Sequence, residues 1–167
     1  MEGPQAGIIA GKKELIEKLK KHQLARVVRV DKMTLAALEG TLMDYLKGVQ
    51  GLSNIPTLRD LLVPLDELRA RADLFARDIN SLESGLKAVV SEGTSQVGGG
   101  TMPDVQLPTY LVSISHRDVS AEHIARKLRT EHSPAIVVRI QKEEVNVDLR
   151  TVTEEEEISL LNAFKQI

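Results

Sequence analysis

The chain has 167 residues, enough for one domain or for parts of two. Apolar residues make up 42% and charged residues 28%, which is typical of a folded globular chain and unlike an intrinsically disordered one. Aromatic residues make up only 2% and cysteine is absent, which excludes base-stacking readers of single-stranded nucleic acid, disulfide scaffolds, thiolate metal sites and cysteine nucleophiles.

Charge is unevenly spread along the chain, although the net charge is only −2. Residues 12–32 carry eight basic and three acidic side chains, whereas residues 141–167 carry three basic and seven acidic ones. The positive segment predicts an anion-binding region near the start of the chain. The first residues lack the basic and apolar regions of a signal peptide, and no apolar run approaches the ~18 residues of a membrane span, so the sequence predicts a cytoplasmic protein.

The first part of the chain predicts one strand and two helices. Residues 7–11, a short apolar run bounded by glycines, indicate the end of a buried strand. From Lys12 the pattern becomes that of an amphipathic helix. Its apolar face is formed by Leu15, Ile16 and Leu19. Asp31 has the position of an N-cap for a second helix, which Gly48 is expected to end, and a polar loop follows over 48–56.

The most regular stretch is an apolar seam whose members alternate spacings of three and four residues. The seam consists of Leu58, Leu61, Leu65, Leu68, Ala72, Phe75 and Ile79. It predicts a long helix packed on the body of the protein rather than a free coiled-coil dimer, because it covers only about three heptads. Pro64 interrupts the seam, where it either kinks the helix or starts a new one.

The second half of the chain changes to strands and turns. Residues 87–90 and 109–115 predict two strands, joined by a loop rich in glycine and hydroxyl side chains over 91–101. Ser120 is placed to cap a helix. Two further β-rich runs, 135–140 and 145–149, indicate a hairpin although no glycine marks its turn.

The last helix has a capping-box signal at Thr153 and Glu156. Its predicted buried side chains are Ile158, Leu161 and Phe164. The order from residue 85 onwards is therefore β-loop-β-α-β-β-α, which predicts a compact α+β unit.

Two features suggest anion binding, and each has an ordinary structural explanation. Gly98, Gly99 and Gly100 could surround a phosphate with backbone amides, but they lack the lysine of a nucleotide-binding loop, so a connection between strands is the favoured reading. Arg26 and Arg29 lie in the positive segment, and guanidinium groups donate in pairs to phosphate-like anions. From the residues alone, solvated surface arginines are the more common explanation.

Other reactive side chains give weaker signals. The four histidines show no spacing that would chelate a metal, so no metal site is predicted. Lys12 and Lys13 follow a glycine and could suggest a Schiff-base lysine, but adjacent lysines that open an amphipathic helix are usually surface charge.

Five stretches together carry a family resemblance, and the first two are specific in combination. They are Gly3-Pro4-Gln5-Ala6-Gly7, Arg29-Val30-Asp31-Lys32-Met33, and residues 64–72, 93–100 and 147–152. In this order and spacing they resemble the C-terminal portion of the bacterial selenocysteine synthase family, the L-seryl-tRNA(Sec) selenium transferases. The resemblance runs over nearly the whole chain. At residues 137–139 the family often has a glycine before the arginine, whereas this chain has Val137-Val138-Arg139.

The resemblance implies an α/β enzyme of the aminotransferase-like fold (fold type I) that uses pyridoxal 5'-phosphate as an electron sink. Such an enzyme converts seryl-tRNA(Sec) to selenocysteinyl-tRNA(Sec) through an aminoacrylyl intermediate, with selenophosphate as the selenium donor. It implies a homo-oligomer with active sites between subunits. It also assigns Arg26 and Arg29 to binding of selenophosphate.

The resemblance also implies that no catalytic residue lies in these 167 residues. The family's Schiff-base lysine stands in a Gly-Asp-Lys context before the Gly-Pro-Gln-Ala-Gly motif, and no such lysine precedes Gly3 in this sequence. The sequence therefore predicts that these residues alone form no internal aldimine and are inactive by themselves.

The expected organisation has three parts. Residues 1–56 are the remnant of the cofactor-binding large domain, 57–84 are a long connecting helix, and 85–167 are the small C-terminal α+β domain. Two alternatives stay open: a related pyridoxal-phosphate lyase or transferase that acts on a small amino acid or amino sugar, and a non-catalytic interaction module that dimerises through the apolar seam.

Overall fold

The structure is a computed structural model that describes residues 3–97 and 104–167. The chain divides into two compact units, Met1–Arg59 and Asp60–Ile167. Gly98, Gly99 and Gly100 lie outside the described residues. Within the described ranges, no helix is long and apolar enough to cross a membrane.

The first unit is helical. Its elements are α1 (Lys13–Lys21), a 3-10 helix (Gln23–Arg26), α2 (Lys32–Leu46), α3 (Val49–Leu52) and the start of α4 (Pro56–Leu62). Asp31 is the N-cap of α2, as predicted, because its carboxylate accepts a hydrogen bond from the Thr34 amide. Gly48 follows the end of α2 with a φ of +66°, a conformation that glycine adopts without strain. The loop expected after Gly48 contains the single helical turn of α3.

The strand predicted at residues 7–11 is wrong. These residues have no regular structure, and Ile9 is 73% exposed. A strand is stabilised by pairing with a neighbour, and the four strands that the structure describes all lie in the second unit. Glycines around an apolar run are therefore not sufficient to predict a strand here.

Few side chains of the first unit are buried. Among its described residues only Gly51 and Ile55 are buried, whereas Val27, Val28 and Leu46 are exposed. At Gly51 the chain approaches α2 so closely that a Cβ atom would lie 1.9 Å from the carbonyl oxygen of Asp44. Glycine is therefore required where α3 packs on α2.

The second unit contains one antiparallel sheet of four strands in the order β1-β2-β4-β3. The strands are β1 (Leu86–Gln96), β2 (Gln106–His116), β3 (Arg139–Gln141) and β4 (Glu144–Asp148). Helices α5 (Leu65–Asn80), α6 (Ala121–Thr130) and α7 (Glu154–Phe164) share one hydrophobic core with it. The observed order after residue 85 confirms the predicted α+β unit.

Strand β1 is longer than the sequence suggests, and the loop predicted to begin at residue 91 is wrong for residues 91–96. All eleven residues of β1 pair with β2. Gly93 belongs to this pairing. A Cβ atom at this position would lie 2.6 Å from Cδ1 of Leu111. Glycine and hydroxyl side chains locally favour a loop, and strand pairing together with this close approach explains why they occur in β1.

The predicted apolar seam lies on two helices. Helix α4 ends at Leu62, Pro64 is the N-cap of α5, and α5 begins at Leu65. Proline cannot donate the backbone hydrogen bond that a continuous helix needs, so the helix restarts there. The side chains of the seam from Leu68 to Ile79 are buried, and those from Ala72 to Ile79 share the hydrophobic core with the sheet of the same chain.

Helix α7 begins as predicted and buries a different face. Thr153 and Glu156 form the capping box. Ile158 is 65% exposed, so its predicted burial is wrong, and Leu160 and Ala163 are buried with Phe164. The ring of Phe164 meets that of Phe75 on α5 edge to face, with centroids 6.3 Å apart.

An asparagine side chain joins α5 to β1. The Asn80 Nδ2 group donates to the carbonyl oxygen of Ala88 at 2.9 Å, and the Ala88 amide donates to Asn80 Oδ1 at 2.8 Å. These two bonds fix the last turn of α5 to the first strand of the sheet.

The hairpin between β3 and β4 is confirmed, and it turns through two residues in the left-handed region. Lys142 has a φ of 53° and Glu143 a φ of 62°. Two-residue hairpin turns of this kind favour asparagine and glycine, since other residues are strained there.

We expect the replacement Glu143→Gly to raise the free energy of unfolding by about 0.5–1 kcal/mol, because it removes this strain. Urea unfolding followed by circular dichroism measures the change. The matched control is Glu144→Gly in β4, which should lower stability because glycine weakens a strand. A loss of stability in Glu143→Gly would contradict the prediction.

Candidate functional site

The two arginines predicted to bind an anion lie on either side of an exposed turn in the first unit. Arg26 is the last residue of the 3-10 helix, and Arg29 stands two residues before the N-cap of α2. Both side chains are exposed, and neither forms a hydrogen bond or an ion pair with another residue that the structure describes. Their donor groups are therefore available to an anion from solution.

Local hydrogen bonds fix the backbone on both sides of this turn. His22 caps the 3-10 helix, since its Nδ1 atom accepts a hydrogen bond from the Leu24 amide at 3.2 Å. On the other side, Asp31 accepts from the amide and the hydroxyl of Thr34, both at 2.9 Å. The hydrogen bonds from Thr34 lower the pKa of Asp31, and the bond from the backbone amide has the largest effect.

The capping role of Asp31 bears on whether Arg29 has an acidic partner in the turn. Asp31 is the acidic residue nearest in sequence to Arg29, but both of its carboxylate oxygens are engaged by Thr34. The carboxylate therefore stabilises the start of α2 and leaves the guanidinium group of Arg29 unpaired.

Nearly all the described lysines are exposed to solvent. A lysine that holds pyridoxal phosphate needs an environment that makes its amine nucleophilic at neutral pH, typically through desolvation. Lys12 and Lys13 are exposed, as are the other described lysines except Lys127. Lys127 is half-buried, and its Nζ donates to the carbonyl oxygen of Gln166 at 2.8 Å.

A polar cluster in the second unit was not predicted from the sequence. Its centre is Asp148 at the end of β4, whose carboxylate accepts hydrogen bonds from Ser95 at 2.5 Å and Thr109 at 2.9 Å. The Arg150 amide donates to the same carboxylate at 3.1 Å, and the Arg139 guanidinium lies 3.6 Å away. Both oxygens are engaged, so the cluster joins β1, β2 and β4.

Arg150 extends this cluster, and only 7% of it is exposed. Its Nη1 donates to the carbonyl oxygen of Asp60 at 3.2 Å and its Nη2 to that of Pro108 at 2.5 Å. The available signal was polar residues at strand positions together with the Asp148-Leu149-Arg150 run, but spacing alone does not show that these side chains are buried.

His116 has a structural role. Its Nε2 atom lies 2.7 Å from the carbonyl oxygen of Ser84, and its Nδ1 atom accepts from the amides of Asp118 and Val119. Both ring nitrogens are therefore used to hold the turns at the ends of β1 and β2. Among the described residues no cluster of three or more acidic or histidine side chains is arranged to hold a metal ion.

Comparison with known proteins gives a consistent result. The sequence model of the L-seryl-tRNA selenium transferase family matches residues 1–153. A Clostridium botulinum (strain Hall) protein named L-seryl-tRNA(Sec) selenium transferase is 45% identical over 165 residues, which is 99% of this chain and 36% of that protein. A Clostridium perfringens (strain 13) protein of the same name is 44% identical over the same shares of both chains. The chain thus spans about a third of the length of these relatives.

Proposed function

The chain belongs to the L-seryl-tRNA selenium transferase family, and on that premise we propose that it supplies the donor-binding portion of an enzyme that converts seryl-tRNA(Sec) to selenocysteinyl-tRNA(Sec). The selenium donor in this proposal is selenophosphate. Arg26 and Arg29 hold its phosphate group.

The observation that carries the proposal is the pair of exposed, unpaired arginines in the capped turn before α2. Guanidinium groups recognise phosphate through paired hydrogen bonds, each stronger than a neutral one because the donor is charged. The adjacent carboxylate of Asp31 accepts hydrogen bonds from Thr34 and forms no ion pair with Arg29. The turn carries the positive charge that a phosphate-like donor requires.

The remaining parts of the proposal concern the full-length enzyme. We propose that it has the fold type I architecture and binds pyridoxal phosphate, which would supply an electron sink when bound. We also propose that the lysine for this cofactor lies in the part of the relatives that this chain does not cover, which the exposure of nearly all the described lysines supports. We also propose a cytoplasmic homo-oligomer with active sites between subunits, which the exposed Val27 and Val28 beside the two arginines support.

The alternatives are less well supported. The names of the relatives and the family match favour a selenium transferase over a lyase for small amino acids. Burial of the seam from Leu68 to Ile79 within its own unit disfavours a module that dimerises through it.

We expect the double replacement Arg26→Ala/Arg29→Ala, in the full-length enzyme, to raise the KM for selenophosphate by about 10- to 100-fold. A hydrogen bond to a charged group contributes about 1.5–3 kcal/mol, and roughly that amount is lost from donor binding. Steady-state formation of selenocysteinyl-tRNA at varied selenophosphate concentration measures the effect. Arg26→Lys/Arg29→Lys should recover only part of it, because lysine keeps the charge and loses the paired donors.

Arg129→Ala is the matched control, since Arg129 is an exposed arginine on α6 of the second unit. It should leave the KM for selenophosphate unchanged. The assignment would be refuted if the Arg26→Ala/Arg29→Ala enzyme kept its selenophosphate KM, or if it lost the absorption of the bound cofactor instead.

A further inference from the structure

The two arginines belong to a longer basic strip on the first unit. We define this strip as Lys18, Lys20, Lys21, Arg26 and Arg29. Residues 18–30 contain these five basic side chains and no acidic one, in a chain whose net charge is −2. A phosphate-sized donor engages two arginines, so the strip carries more positive charge than the donor alone requires.

We propose that the lysines of the basic strip bind the phosphate backbone of the tRNA substrate, with Lys18 and Lys21 contacting phosphates of the tRNA. The inference rests on the proposed function, because it takes the tRNA substrate from that reaction and reserves Arg26 and Arg29 for the donor. It assigns a partner to a surface that the donor site does not use.

The lysines of the strip are free to make this contact. Lys20 lies 3.1 Å from Glu17, an exposed pair of low energetic value. Lys18 and Lys21 form no ion pair or hydrogen bond with another residue that the structure describes, and both are exposed. They are one turn apart on α1, so their side chains project from the same side of the helix.

The amphipathic character of α1 separates this side from its apolar one. Leu15 and Leu19, about half exposed, share the apolar side of α1. At helical spacing Lys21 lies opposite that side, and Lys18 lies between the two. The lysines follow Glu14 and Glu17 along the helix and stand in its last turn, nearest the arginines. Positive charge is therefore concentrated at the end of α1 that leads into the donor turn.

The surface is suited to contacts with the phosphates of an RNA rather than to recognition of its bases. Contacts to phosphates need only cations, whereas recognition of unstacked bases needs aromatic platforms. Residues 12–32 contain no Phe, Tyr or Trp, and their one imidazole, His22, caps the 3-10 helix. A strip of this kind holds the backbone without reading sequence. Sequence or shape specificity for tRNA(Sec) would then come from other parts of the enzyme.

Lysines at this position also stabilise the end of α1 through the helix dipole, but that effect is small for exposed side chains. Replacing both with glutamine should therefore leave the fold intact. A glutamine keeps the length and helix propensity close to those of lysine and removes the charge.

The test is binding of fluorescently labelled, unacylated tRNA(Sec) to the 167-residue chain, measured by fluorescence anisotropy at several KCl concentrations. No donor or cofactor is present, so a failure of the donor-site assignment does not affect the result. Lys18→Gln/Lys21→Gln should raise the Kd about tenfold at low salt and reduce the salt slope of log K by about 1.4–1.8, as expected for two lost phosphate contacts.

The matched control is Lys87→Gln/Lys165→Gln, which removes the same charge from two exposed lysines of the second unit. It should change the Kd less than twofold. Circular dichroism verifies that each variant keeps its helix content, and a variant that loses helix is replaced by the same change in the full-length enzyme, measured in the same way.

Three results would overturn the proposal. The first is an unaltered Kd and salt slope in Lys18→Gln/Lys21→Gln. The second is an equal loss in the control variant, which would indicate net charge rather than the strip. The third is a chain that binds vesicles of anionic phospholipid but not tRNA, which would assign the basic helix to a membrane surface instead.

Discussion

Replacing Phe164 with alanine is expected to lower the free energy of unfolding of the second unit by about 3–5 kcal/mol. Phe164 is fully buried, and its ring contacts that of Phe75 edge to face. The replacement removes most of a large side chain, and the surrounding β-strands cannot collapse onto the cavity without losing their pairing. A domain of this size is typically stable by about 5–15 kcal/mol, so the change removes a large share of the total.

Amide hydrogen exchange at Ile114, at the centre of β2 in the core, measures this effect on the second unit alone. Ile158→Ala is the control on the same helix, and it should change stability by less than about 0.5 kcal/mol because Ile158 is mostly exposed. Equal losses in the two variants would show that α7 packs through the face expected from the sequence, and the description of the core would be wrong.

The replacement Arg150→Ala should cost about 3 kcal/mol, since hydrogen bonds from a charged donor contribute about 1.5–3 kcal/mol each and Arg150 makes two to backbone carbonyls. Those carbonyls belong to Asp60 and Pro108, so the side chain holds the start of the second unit against the start of β2. Without this side chain, both carbonyl oxygens need water as a hydrogen-bond donor, and water must fill the space that the side chain leaves. Urea unfolding of the whole chain, with Ile114 exchange as a second readout, measures the loss.

Arg150→Met separates the loss of the hydrogen bonds from the loss of side-chain volume. Methionine fills much of the same volume and removes a buried charge whose Nε atom has no hydrogen-bond partner. We expect it to cost only about 1–2 kcal/mol, because burial of a guanidinium group is itself unfavourable. If Arg150→Ala stayed within about 0.5 kcal/mol of the wild type, the carbonyl contacts would have no energetic significance.

Much of the second unit was predictable because its signals are local. Capping residues such as Ser120 and Thr153 satisfy backbone groups within one turn, so they mark helix starts without any knowledge of the fold. The order of strands and helices followed from alternating patterns. The extension of β1 through Gly93 was not predictable, because it depends on pairing with β2 and on the approach of Leu111, both of which are non-local.

The candidate sites differ in the same way. Arg26 and Arg29 could be proposed from charge counting and family resemblance because both signals are present in the sequence, and the structure shows both side chains exposed. The cluster around Asp148 depends on strand register, which brings together side chains from β1, β2 and β4. Register is set by core packing and turns, so single-sequence patterns do not reveal such a cluster.

The pair of hydrogen bonds between Asn80 and Ala88 has a further consequence for assembly. Strand β1 is the outermost strand of its sheet on that side, and an outermost strand presents unpaired backbone groups on which another chain can add and aggregate. The Asn80 amide occupies the donor and acceptor of Ala88 as a neighbouring strand would. Part of the protection of this protein against β-aggregation thus comes from one helical side chain that acts as a substitute strand.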